Sequence, residues 1–177
     1  MVDSERRKKL ALHLRHLSVG LISNDDFEEN VMDDVTYGWL PEQYYRAKES
    51  KIDDPIIIPV LELCWGLYDD TRNHTVKLDP KALKFISRII LFLHSDQEYR
   101  WPYFNTKSVI FNFSILDIIL TVLSFGKHYR NLTLEKEKSF QEFKNCGDYD
   151  FWPFLEESDF QNALLKQPFL NANKNFV

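Results

Sequence analysis

The segment "LDPKALKFISRIILFLHSD", Leu78 to Asp96, restricts the fold more than any other part of the chain. Asp79 offers a capping carboxylate, and Pro80 suits the first helical position, where a missing N–H costs nothing. Lys81, Lys84 and Arg88 form a thin polar stripe. Leu83, Phe85, Ile86, Ile89, Ile90, Phe92 and Leu93 cover the rest of the circumference. A helix apolar on most sides has to be surrounded by other elements, so this spacing predicts a helix near the centre of an all-α fold.

The flanking segments supply the surrounding helices. Leu10, Leu14, Leu17 and Leu21 recur at helical spacing, behind Arg6, Arg7, Lys8 and Lys9 in the first turns. Ser23 stands three residues before Asp26 in a capping-box pattern, with Phe27 and Val31 placed to pack. "PEQYYRAKES" starts on Pro41, and a further helix is expected from about Pro59. Thr133 to Lys144 predicts a solvated helix with Leu134 and Phe140 or Phe143 inward, and Ser158 to Lys166 predicts the last one. A chain of 177 residues is long enough for one core. The expectation is therefore a compact single-domain bundle over residues 1–177, of about six to seven helices with aromatic-rich loops.

"SVIFNFSILDIILTVLSFG", Ser108 to Gly126, leaves two readings open. It has the length of a short membrane span, but Asp117 near its middle would cost about 3 kcal/mol in a bilayer, and Asn112 adds to that. A buried core helix is the favoured expectation, and membrane association is the alternative.

Acidic residues outnumber basic ones 27 to 22, so the net charge of −5 gives no general attraction to nucleic acid and favours a basic partner. Cys64 and Cys146 lack metal or redox spacing, which argues against a disulfide framework or a zinc site. The first residues lack the unbroken apolar run of a signal peptide, so a reducing cytoplasm is expected.

No catalytic motif is present, and neither a catalytic residue nor a cofactor is expected. His94, Asp96 and Glu98, just after the central helix, are the first residues to consider for an active site without a motif, though a charged helix exit explains them as well. His13 and His16 share a helix face but lack a third ligand nearby in sequence, and Cys64 between Leu63 and Trp65 reads as a small apolar residue. Asp53/Asp54 and Asp69/Asp70 read as caps or solvated faces. The densest acidic run is Asp25, Asp26, Glu28, Glu29, Asp33 and Asp34. It is the candidate surface for a basic protein partner, with complementary charge speeding association.

The order "SRIILFLHSDQEYRWP", an apolar stretch, "GDYDFWPF" and "FQNALL", together with "LRHLSVGLISNDDFEE" near the start, resembles a layout of small uncharacterised bacterial proteins. The resemblance spans most of the chain and implies no catalytic residues. An interaction role of the immunity or neutralising type is the expectation that fits the acidic surface, with a membrane-associated component second and an enzyme third. Trp101-Pro102 and Trp152-Pro153 form an echo in which each proline holds the preceding tryptophan extended. They are expected to be buried structural anchors rather than a duplicated binding site.

Overall fold

The computed structural model describes residues 1–102 and 115–167. It is all-α, and among these residues the only β-pairing is an isolated bridge between Ser23 and Thr75. Helix α1 spans Ser4–Ser18 and packs along α2 (Asn24–Asp34) and α5 (Pro80–Leu93). Between α2 and α5 come the short α3 (Pro41–Arg46), a 3-10 turn at Glu49–Ile52, and α4 (Ile57–Trp65). After α5 lie α6 (Ile115–Leu123), α7 (Lys127–Lys144), a 3-10 turn at Tyr149–Phe151, and α8 (Glu157–Lys166).

The sequence explains these boundaries locally. Asp3 caps α1 by accepting from the Arg6 N–H, and Asp79 caps α5 by accepting from the Ala82 N–H at 2.8 Å. Ser23 and Asp26 complete the capping box of α2, whose buried Asn24 also ties it to the loop before α5. The Asn24 side chain accepts from the His74 N–H at 2.7 Å and donates to the Arg72 carbonyl.

Leu10, Leu14 and Leu17 of α1 meet Phe27 and Val31 of α2, the Ile57–Val60–Cys64 side of α4, and the end of α5 in one core. Each fully buried side chain of this size contributes about 2 kcal/mol. Leu21 departs from the expected stripe because α1 stops at Ser18, which leaves Leu21 exposed. Helix α4 begins two residues before Pro59, a position inside the first turn where proline is tolerated.

Helix α5 buries only its second half, Ile86 and Ile89 to Leu93, while Leu83 near its start is exposed. The bundle covers the end of this helix and leaves its beginning in solvent. The expectation of a core helix across Ser108 to Gly126 is corrected where it can be compared. Residues 103–114 lie outside the described part, and α6 carries Ile119, Leu120, Val122 and Leu123 at the surface. The chain then reverses at Phe125 and Gly126 into α7, so the apolar run ends at a hairpin tip instead of crossing the core. Leu134 of α7 is exposed as well, and Phe143 makes this helix's contact with the core. Among the described residues no helix is long and apolar enough to cross a membrane.

Candidate functional site

The solvent face of α2 and the loop that follows it gather the acidic residues singled out in the sequence, and the structure divides them in two. Asp26 is used internally. Its carboxylate accepts from the Ser23 backbone N–H and hydroxyl, and these bonds hold its pKa below the usual carboxylate value. Glu28 accepts from the Tyr68 hydroxyl at 2.9 Å, and burial followed by this carboxylate pushes the Tyr68 pKa up. Asp34 faces His13 at 2.8 Å and Lys9 at 3.6 Å, fastening α2 to α1.

The other three point outward. Asp25, Glu29 and Asp33 are exposed at i, i+4 and i+8, a spacing that lines them along one side of a helix. Asp25 accepts only from the adjacent Asn24 amide, and Glu29 and Asp33 have no hydrogen bond or ion pair among the described residues. Beyond Asp33 the chain forms a braced loop that presents Tyr37, Trp39 and Leu40 to solvent. This aromatic patch was not singled out in the sequence. The signal available for it was Gly38, which lets the chain turn back directly behind α2 with a positive φ.

A second polar assembly, also missed, lies inside the fold. Arg7 is 0% exposed and Asp54 3%. The Arg7 guanidinium donates to both carboxylate oxygens of Asp54, through Nε and, at 2.9 Å, through Nη2. Its Nη1 donates to the carbonyls of Ser95 and Gln97 at 3.1 and 2.8 Å, and the Asp3 N–H also donates to Asp54. Beside it, Arg6 pairs with Asp53 at 2.7 Å and donates to the Tyr44 hydroxyl, which donates to Asp53. Burial opposes the charge on Arg6, but hydrogen bonds to Asp53 and Tyr37 outweigh it and raise the pKa. Asp54, expected as a cap or a solvated face, is not solvated: its carboxylate also accepts from the Ile56 N–H at the entry of α4, but it is buried as the partner of Arg7. The clue was positional, because Arg7 lies on the same helical face as Leu10, Leu14 and Leu17. Its partners are all internal, so the assembly joins the start of α1 to the entry of α4 and the exit of α5.

The two Trp-Pro pairs bond to each other's segment. The Trp101 indole donates to the Phe154 carbonyl at 3.2 Å, and the Trp152 indole to the Tyr99 hydroxyl at 3.1 Å. Both rings are buried, with Trp152 stacked on Phe85 and Trp101 tilted on Phe143. Pro102 and Pro153 follow them, the second through a cis peptide. Gly147 lets the chain pass close by, because a side chain there would meet the Leu155 carbonyl at 2.5 Å.

The remaining candidates do not converge. His94 closes α5, with its pKa lowered by burial and by Lys8 and Arg15, while Asp96 and Glu98 are exposed. No hydrogen bond or ion pair joins those three. Burial pushes the Cys64 thiol well above its usual value, which leaves it protonated. Among the described residues no three histidine, cysteine, aspartate or glutamate side chains stand close enough to hold a metal. No family model, curated protein or solved structure matches the chain.

Proposed function

We propose that the chain is a non-catalytic interaction protein, a single helical domain working in the reducing cytoplasm and binding a basic protein partner through the exposed side of α2. The observation that carries this reading is the division of the acidic run. Asp26, Glu28 and Asp34 are held by internal partners, whereas Asp25, Glu29 and Asp33 form an outward stripe. Carboxylates in water gain little from isolated surface pairs. Aligned in one row, they attract and orient a cationic partner and raise its association rate. The net charge of −5 adds to that attraction, and Cys64 and Cys146 are both free thiols, consistent with a reducing compartment. Neutralising a basic partner, as immunity-type proteins do, is the role this face suits. The membrane-associated alternative gains no support, since no described helix is long and apolar enough to cross a bilayer.

Capture from extracts of the source cells tests the reading. The chain is expected to retain an identifiable basic protein, and Glu29→Lys/Asp33→Lys is expected to lose it. Retention by the double variant with unchanged sensitivity to salt would remove the α2 stripe as the binding surface.

A further inference from the structure

The loop after α2 places three large apolar side chains in solvent on a backbone that is held firmly. The Val35 and Thr36 N–H groups both donate to the Val31 carbonyl at 2.9 Å, and the Gly38 N–H donates to the Met32 carbonyl at 2.6 Å. The buried Thr36 hydroxyl donates to the Trp39 carbonyl at 2.6 Å, while the Trp39 N–H returns a bond to the Thr36 carbonyl at 3.2 Å. Tyr37 adopts φ 53°, a left-handed conformation that disfavours a residue of its size. Even so, Tyr37, Trp39 and Leu40 remain 58%, 43% and 51% exposed.

Large apolar groups next to one another on a braced surface loop are characteristic of interaction sites, and tryptophan and tyrosine are the side chains most enriched at binding hot spots. The loop's surroundings indicate which partner chemistry fits. Asp33 lies in the last turn of α2, immediately before the loop, and Glu29 one turn earlier, both on the exposed side of the helix. Their charge repels phosphates, which disfavours nucleic acid and anionic lipid at this face. Tyr37 already accepts a cation, with the Arg6 guanidinium 4.7 Å from its ring centre. A guanidinium also stacks on aromatic faces better than an ammonium.

Building on the acidic-stripe reading, we infer that this loop is the anchoring end of the docking surface, and that its occupant is an arginine-bearing segment of the basic partner. One arginine stacks on Trp39, and further cations of the same segment meet Asp33 and Glu29. The carboxylates attract and orient the segment, while the aromatic loop slows its release.

A hexa-arginine peptide serves as the probe, read by the indole N–H resonance of Trp39 in the full chain. Saturable binding that shifts this resonance is expected. Trp39→Ala is expected to weaken it about tenfold at an unchanged melting temperature, with Trp39→Phe falling between the two. Binding that leaves the Trp39 resonance unmoved, or that is equally strong in Trp39→Ala, overturns the anchoring inference. If that binding is lost in Glu29→Lys/Asp33→Lys, the acidic stripe still stands. Absence of saturable binding to the wild-type chain overturns both.

Discussion

The Arg7 guanidinium sits between Asp54, the Phe92 ring at 5.1 Å, and the carbonyls of Ser95 and Gln97. Removing it strands a carboxylate in the interior, so Arg7→Met is expected to cost about 3–5 kcal/mol. Adding Asp54→Leu removes the stranded charge and is expected to recover most of that loss. Urea unfolding of the two single variants and the double variant checks this, and a double variant as unstable as Arg7→Met would contradict it. His94 gives a pH dependence. Burial, Lys8 and Arg15 lower its folded pKa beneath the ordinary 6.5, so the unfolded chain takes up the proton first. The contribution of neutral His94 is intact above about pH 6.5 and is lost as pH falls through that value towards the folded pKa. Unfolding free energy measured from pH 7.5 to 5.5 is expected to fall, and His94→Gln should flatten that fall. Residue-scale reading of the sequence succeeded at Ser23 and Asp79, whose capping bonds are local. It missed Arg7 and Asp54, because a pair separated by 47 positions leaves no local pattern.

Among the elements, α2 shows how one short helix holds some of its carboxylates to internal partners and turns others outward. Its start is fixed by the capping box, and Ser23→Ala is expected to cost about 1 kcal/mol in thermal unfolding. Its outward side is free to change, so Glu29→Lys/Asp33→Lys should alter stability by no more than about 0.5 kcal/mol. The α6 and α7 hairpin gives a sharper contrast. Phe125 at its tip is 100% exposed, and Leu123 is exposed beside it. Leu123→Gln/Phe125→Ser is therefore expected to leave the urea midpoint nearly unchanged, whereas a core helix would lose several kcal/mol. Apolar composition predicted the helix of Ile115–Leu123 but not the exposure of Ile119, Leu120, Val122 and Leu123, because hydropathy reports what a side chain prefers and not whether a neighbour covers it. The same limit applies to α5, whose Leu83 end lies beyond the reach of the bundle.

Across the whole molecule, the all-α architecture was readable from helical periodicity, and the echo of Trp-Pro pairs from the sequence alone. What the sequence could not show is that each indole bonds into the other pair's segment, since that depends on α5 bringing the two segments together. In the acidic run, the division between internal and outward carboxylates arises only in the fold, because Tyr68 and His13, which occupy Glu28 and Asp34, come from distant positions. The aromatic loop at Tyr37 to Leu40 was hidden because its residues look like core residues until their exposure is known. Recognition of a basic partner by the remaining stripe is the central claim, and the salt dependence of binding is its most direct test. Calorimetric titration with an arginine-rich peptide is expected to show affinity falling steeply as salt rises in the wild-type chain, with the slope largely lost in Glu29→Lys/Asp33→Lys. Equal slopes in the two proteins would contradict the claim.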